Sequence, residues 1–259
     1  MNGTPLRAAE QLRSEVAALV FTPDRLAVVK GGPAARRAYF DRVVGRLSPS
    51  RAGLSADYGA AVAQRNAALR RVAAGFSSRD ALVPWTGRVA ELGSALAEAR
   101  TEAIDRLSPR FAERADELGL PGGRLAYEGD PLTAEALEAR LDRDLERGAT
   151  GLGPHLDDVA IASGARELRA FGSQGEQRLA VLSLLLAEAE LLAERAPAQP
   201  PLVLLDDVLS ELDERRRGIL AERLRSSGGQ TFVTATSATS LPIAPDQLIE
   251  VSPGAARVA

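Results

Sequence analysis

Leu202-Val203-Leu204-Leu205-Asp206-Asp207 is the stretch whose reading decides the fold. An unbroken apolar run of this length reads as a β-strand buried on both faces, the kind found in parallel sheets. Two adjacent carboxylates follow it. Burying them without partners costs several kcal/mol, so they belong just past the strand's end. In open α/β sheets that is where ligands bind. A pair of carboxylates there suits hydrated Mg²⁺, which keeps most of its waters and takes few protein ligands. Read alone, the same residues also fit a strand followed by a solvated turn.

Around this run, from about residue 150 onward, strand and helix patterns alternate. Residues 159–162, 231–234 and 248–251 are further strand candidates, and helices are expected over 176–194 and 213–225. Such alternation predicts a partly parallel α/β sheet. Ser210-Glu211-Leu212-Asp213, directly after the acidic pair, reads as a helix start with Ser210 and Asp213 as candidate caps. Upstream, Phe171-Gly172-Ser173-Gln174-Gly175-Glu176-Gln177-Arg178 opens the 176–194 helix. Its glycines permit close backbone approach, and Ser173 can cap the helix. A helix N-terminus presents free N–H groups and the positive end of the dipole, which favours a phosphate. The plain alternative is an ordinary capped core helix.

Before residue 150 the chain divides in two. Residues 1–29 hold a short helical segment, 8–17, then the apolar run Ala18-Leu19-Val20-Phe21 and a turn at Thr22-Pro23-Asp24. This reads as one buried strand and one short helix. Residues 30–149 read as helical throughout. Phe40, Val43, Val44 and Leu47 draw one apolar stripe, with Pro33 placed for a helix start. Leu54, Tyr58, Val62, Leu69 and Val72 draw a second, which Gly75 can close in a left-handed cap. A third runs from Leu82 through Leu96 and Phe111 to Leu118, and Pro109 is expected to interrupt or bend it. Leu137, Leu141 and Leu145 mark a last short helix ended by Gly148. Narrow stripes with charged backs fit an antiparallel helical arm.

Composition narrows the function classes. A chain of 259 residues, 45% hydrophobic, can bury a core without staples. There is no cysteine, which excludes a disulfide framework and thiolate metal sites. The single histidine, His155, reads as structural rather than as a metal ligand. With 32 basic and 35 acidic residues the net charge is −3, so contact with nucleic acid needs a local patch. Arg36, Arg37, Arg65, Arg70 and Arg71 on the arm are candidates to meet phosphates, against the default of a solvated helix face. No apolar run approaches the ~18 residues of a membrane-spanning helix, and the first residues lack a signal-peptide pattern, which fits the cytoplasm.

In their order and combination these motifs are similar to the second half of an ABC-type ATPase head, and more specifically to the RecF family of bacterial recombination-repair proteins. Gly153-Pro154-His155-Leu156-Asp157-Asp158 and Phe171-Gly172-Ser173-Gln174-Gly175 resemble its approach and signature segments. Leu204-Leu205-Asp206-Asp207-Val208-Leu209-Ser210-Glu211-Leu212-Asp213 resembles its Walker B strand and D-loop. Phe21-Thr22-Pro23-Asp24 and Val29-Lys30-Gly31-Gly32-Pro33-Ala34-Ala35-Arg36-Arg37 resemble the passage from head into arm. The resemblance covers nearly the whole chain. It implies an α/β fold: a partial ABC-type ATPase head, with a mixed or parallel sheet and helices, carrying an inserted helical arm. Residues 1–29 would be a remnant of the head, 30–149 the arm, and 150–259 the second half of the head.

The resemblance further implies a homodimer formed on ATP binding, in which one subunit grips ATP and Mg²⁺ and its partner's signature loop closes on the γ-phosphate. Asp206 would then hold the Mg²⁺ shell, and Asp207 would orient or activate the attacking water. Ser173, Gln174 and Gly175 would contact the partner's nucleotide, and Asp213 would lie at the dimer seam. Thr234-Ala235-Thr236 stands where many such heads carry a switch histidine. The implied function is DNA binding at junctions of single- and double-stranded regions during replication, gap repair and the SOS response, with RecO and RecR, to load the recombinase RecA. The reading requires the 202–205 run to be a strand, with its two carboxylates and the start of the 176–194 helix facing one ligand crevice.

The chain departs from the family pattern in two places. The phosphate-cradling loop Gly-x-x-x-x-Gly-Lys-Ser/Thr, the Walker A motif, does not occur, and the only lysine, Lys30, follows Val29. The match begins inside the pattern, with Asn2-Gly3-Thr4-Pro5 resembling an internal stretch. Roughly the first quarter is therefore expected to be missing, through a misplaced start, a fragment or a degenerate copy, and hydrolysis by residues 1–259 alone is not expected. The second departure is Glu176, where related signatures have glutamine, which adds a negative charge near the expected phosphate. Two rival readings remain. One is an SMC-like head fragment, for which the arm is too short to supply long heptads. The other is an interaction module that keeps the fold and binds no nucleotide.

Overall fold

The structure is a computed structural model, and it describes residues 17–259. The helix expected over 8–17 lies outside the described residues, save for its last position. The apolar run forms β1 (Ala18–Phe21), followed by a single 3-10 turn, Pro23–Leu26, and the short α1 (Ala27–Lys30). α2 (Pro33–Leu47) begins on Pro33 as expected and buries Phe40, Val43, Val44 and Leu47. α3 (Leu54–Ala73) ends where Gly75 takes φ +76. The Gly75 N–H donates to the Val72 carbonyl (3.0 Å) and the Phe76 N–H to that of Arg71 (2.9 Å), closing the last turn.

α4 (Val83–Glu117) is one helix of 35 residues, about 50 Å long. It runs through Pro109, contrary to the expected interruption. Pro109 and Asp105, whose carbonyl loses its i+4 donor there, both lie on the exposed face, where water can take the missing bond. A second correction follows: residues 30–149 are not helical throughout. β2 (Gly123–Glu128) lies among them, ahead of α5 (Ala134–Ala139) and α6 (Leu141–Arg147). β3 (Asp158–Ser163), β4 (Arg166–Glu167), α7 (Leu168–Phe171) and α8 (Gln174–Arg195) follow. The chain then forms β5 (Leu202–Leu205), α9 (Glu214–Ser226), β6 (Thr231–Val233), β7 (Ile249–Ser252) and β8 (Ala255–Val258).

Three sheets result. The first is parallel, in the order β1-β5-β6, with Leu19 opposite Val203 and Leu205 opposite Val233. The second is antiparallel, β2-β3-β4, and pairs Leu125 with Ile161. The third is the β7–β8 hairpin, every residue of which is exposed. α8 is apolar nearly all round, with Leu179, Leu182, Ala187 and Leu191 all buried, because it is wrapped by β1, α2 and the second half of α4. These elements share one large hydrophobic cluster with β3, β5 and Leu220 of α9. A smaller cluster of Tyr58, Val62, Val89, Leu96, Leu132 and Leu137 holds the other end of α4 against α3 and α5. The long helix thus serves both clusters. No helix of the described residues is long and apolar enough to cross a membrane.

Candidate functional site

β5 delivers Asp206 and Asp207 to the carboxyl end of the parallel sheet, where both side chains are exposed. The Asp206 N–H donates to the Phe21 carbonyl (3.0 Å), and on the other side the Thr234 N–H donates to the Leu205 carbonyl (2.9 Å). The Thr234 hydroxyl donates to the Asp206 carboxylate (2.6 Å), and its oxygen accepts from the Asp207 N–H (3.0 Å). One threonine therefore ties both acidic residues to the end of β6. Asp207 is the one non-glycine residue at positive φ among the described residues, at φ 48 and ψ 28. Left-handed backbone costs a residue with a side chain about 1–2 kcal/mol, although aspartate tolerates it better than most. Strain of this kind concentrates at functional sites.

The residues after the pair keep the turn in shape. The Ser210 hydroxyl donates to the Asp207 carbonyl (2.9 Å) from within the 3-10 turn Val208–Glu211. Of the two cap candidates, Asp213 is the one that caps: its carboxylate accepts from the Arg216 N–H (2.8 Å) and the Arg216 guanidinium (3.0 Å) at the start of α9. Two carboxylates and a hydroxyl on one exposed turn fit a cation that retains its waters and takes one or two carboxylates alongside phosphate oxygens. Among the described residues no group of three or more His, Cys, Asp or Glu could enclose a metal ion by itself.

The second turn opens α8. A Cβ on Gly172 would run into the Leu168 carbonyl oxygen, so only glycine lets the chain pass there. Ser173 Oγ accepts from the Glu176 N–H (3.2 Å) and the Glu176 carboxylate accepts from the Ser173 N–H (2.8 Å), a reciprocal capping box. Arg166, which sequence reasoning missed, donates to the other Glu176 oxygen (2.8 Å). The Ser173 backbone bond, then Arg166, hold the Glu176 carboxyl below its ordinary range. The extra negative charge noted in the sequence is thus absorbed locally. Ser173, Gln174 and Gly175 are exposed, and Gln177 turns inward to donate to the Leu168 carbonyl (2.9 Å). Around a Cβ on Gly175 there is only Ser173 Oγ, at 3.9 Å. Nothing within the chain requires glycine at that position, although glycine costs a helix about 0.5–1 kcal/mol against alanine.

The two turns draw on different partners. The acidic turn is bonded to β1 and to Thr234, and the Ser173 turn to Arg166 and its own helix. The arm arginines separate too. Arg36 is buried, donating twice to Asp158 (2.7 and 2.6 Å) and once to the Gly31 carbonyl (2.8 Å), while Arg37 donates to the Asp157 carbonyl (2.7 Å). Two motifs 122 residues apart in sequence are therefore one structural joint. Arg65 is fully buried against Asp144 (2.8 Å). Burial removes Arg36 and Arg65 from the candidates for phosphate contact, and Arg70 and Arg71 remain exposed. His155 is structural, as expected: Nε2 donates to the Thr150 carbonyl (3.1 Å), so Nδ1 accepts from the Tyr58 hydroxyl (2.7 Å).

Comparison with known proteins returns one consistent answer. No protein-family model matches the chain. A "DNA replication and repair protein RecF" from Anaeromyxobacter sp. (strain Fw109-5) is 36% identical over 91% of the chain and 67% of its own length. One from Geobacter sulfurreducens is 38% identical over 87% of the chain and 64% of its own length, so the chain spans about two thirds of these relatives. Solved structures of the recombination mediator protein RecF-ATPrS and RecF-ATP in the RecFOR pathway superpose with a TM-score of 0.82 each. They are 25% and 26% identical and match over 99% and 100% of the chain and 71% of their own. An Smc head domain derived from Pyrococcus furiosus, 16% identical, shares the fold at a TM-score of 0.50, covering 93% of this chain and 61% of its own.

Proposed function

Because the chain belongs to the RecF family of DNA replication and repair proteins, we propose that it is the larger part of an ATP-dependent DNA-binding head that acts in recombinational gap repair. The carrying observation is the acidic turn. A buried parallel strand ends in two exposed carboxylates, one in a strained conformation, both fixed by Thr234. A folded chain gains nothing for its own stability from that strain, and a ligand at the end of the sheet gives it a purpose. Gly175 argues the same way, since an open glycine at an exposed helix start leaves room for something outside the chain.

In this reading Asp206 holds the hydration shell of Mg²⁺, and Asp207 orients the water that attacks the γ-phosphate. Bound Mg²⁺ would neutralise charge on the phosphates. Ser173, Gln174 and Gly175 meet the nucleotide of a second copy, and Asp213 lies along the seam between copies. The arm (30–149) is rooted in the head (1–29 and 150–259) through the Arg36–Asp158 joint. DNA at single-strand/double-strand junctions, RecO and RecR are the proposed partners, in the cytoplasm. The phosphate-cradling loop is absent from the sequence, which favours a second reading for residues 1–259 by themselves: an interaction module that binds no nucleotide.

Equilibrium binding of a fluorescent ATP analogue separates the two, with the chain alone and with a supplied segment carrying that loop. The head reading expects Mg²⁺-dependent binding only with the segment, weakened at least tenfold by Asp206→Ala. Binding that is indifferent to Asp206, or none in either case, leaves the interaction module. Gel-shift titration on gapped against blunt DNA tests the second half of the proposal.

A further inference from the structure

The parallel sheet is unfinished on the β6 side. Strand order places β6 at an edge. The Val203 N–H donates to the Gln230 carbonyl (3.0 Å) and the Thr234 N–H to the Leu205 carbonyl (2.9 Å), so residues 230, 232 and 234 turn their backbone groups toward β5. Successive residues of a strand alternate, so Thr231 and Val233 point their N–H and C=O groups outward, where none of the described residues pairs with them. Natural proteins blunt such edges with charge, proline or a covering element. Here the edge residues are Thr-Phe-Val, with Phe232 46% exposed. Thr231 Oγ1 is buried without a hydrogen-bond partner. Alongside runs an apolar groove of about 640 Å³ lined by Leu220, Leu224, Phe232, Leu241, Ile243 and Ile249. Purely parallel sheets occur almost only with both faces covered, and three strands with a bare edge do not meet that condition.

We infer that this edge accepts a fourth, parallel strand from polypeptide outside residues 17–259, and that this strand leads into the phosphate-cradling loop. Three observations select this occupant. First, the relatives and the RecF structures contain about a third more chain than is matched here, shown by the 67% and 71% of their lengths that are covered. Second, a phosphate loop is carried on the carboxyl end of a strand and opens a helix. To stand beside Asp206 and Asp207 that strand must run parallel to β5. Third, Thr234 draws the Asp206 carboxylate toward β6, so the nearer free edge for a phosphate loop is β6. A second copy of this chain fits less well, because two identical edges related by a two-fold axis pair antiparallel.

The inference rests on the head reading for what the strand carries, and its test needs no nucleotide. The full chain is mixed with a purified polypeptide comprising the unmatched segment of the 36% identical relative. Complex formation is followed by sedimentation, and amide exchange is read at β6. The expected result is a one-to-one complex in which the Thr231 and Val233 amides exchange at least tenfold more slowly, while Phe232, already bonded to β5, changes little. Val233→Pro removes one outward N–H that bonds nothing in the free chain. It should leave the melting temperature unchanged and weaken the complex at least tenfold. A complex that leaves β6 exchange unaltered, one insensitive to Val233→Pro, a homodimer formed through β6 without the segment, or no complex at all would each overturn the inference. A complex that forms as expected but fails to hold ATP leaves the strand assignment standing and removes the head reading alone.

Discussion

Two residues carry opposite burdens at the proposed site. Asp207 holds a left-handed backbone that glycine adopts freely. Asp207→Gly should therefore keep or raise stability, by up to about 1 kcal/mol, while ending any Mg²⁺-dependent nucleotide turnover in the completed head. A urea midpoint that falls would show that the turn is not strained. Ser173 and Glu176 form a stabilising cap. Ser173→Ala should cost about 1 kcal/mol, and Glu176→Gln much less, because glutamine at the third helical position also completes a capping box. Equal losses in thermal denaturation would mean that the Arg166 ion pair, rather than the cap, fixes the turn. At this scale the sequence was informative. Asp206, Asp207, Ser173 and Asp213 could be picked out because strand ends and helix starts leave signs in adjacent residues. Arg166 and the double bond of Thr234 could not, because they act across ten and 28 residues, where no local period points.

Among elements, periodicity revealed what is long and repetitive and missed what is short. β5 and the stripes of α2, α3 and α4 were legible because burial selects residues at a fixed spacing. β2 was absorbed into the helical region, although Pro121-Gly122-Gly123 ahead of it and alternating Leu125 and Tyr127 within it are strand signs. Six residues between two helical stretches offer too few periods to outweigh their surroundings. The element that sequence reading most misjudged is the far end of α4, where the phosphate candidate Arg65 is instead a buried tie between α3 and α6. Its guanidinium bonds Asp144 (2.8 Å) and Thr150 (2.9 Å), with both charged side chains wholly buried. Removing one partner strands the other charge. Arg65→Met should cost about 3–5 kcal/mol, and the double change Arg65→Met with Asp144→Leu should recover most of it. Amide exchange should quicken across α3 and α6 in the single variant and stay as it was in α8 and β5. Loss of protection spread evenly over both clusters would refute a local role for the pair.

At the scale of the whole molecule, the two hydrophobic clusters communicate through α4 and through the loop that carries His155 from the arm side to β3. That loop is pinned by the neutral imidazole, which donates from Nε2 to Thr150 and accepts at Nδ1 from Tyr58. A proton on Nδ1 would replace this acceptor with a second donor facing a hydroxyl that itself needs an acceptor. Burial, the largest influence, accordingly lowers the His155 pKa below its ordinary 6.5. A group with a folded pKa below its unfolded one binds its proton first in the unfolded chain, so stability rises with pH between the two values. On acidification the loss begins as pH falls through about 6.5 and stops below the folded pKa. Carboxylates titrate mostly lower, near pH 4, and contribute a separate decline. The melting temperature of the full chain should therefore fall measurably between pH 7 and 5.5 in low salt. His155→Gln should flatten that slope while lowering stability at pH 7, because the Tyr58 and Thr150 bonds are then imperfectly replaced. A slope in that window that His155→Gln leaves unchanged would assign it to the acidic network around Arg100, Asp41 and Asp157 instead. The joint between arm and head would then be held by those ion pairs alone.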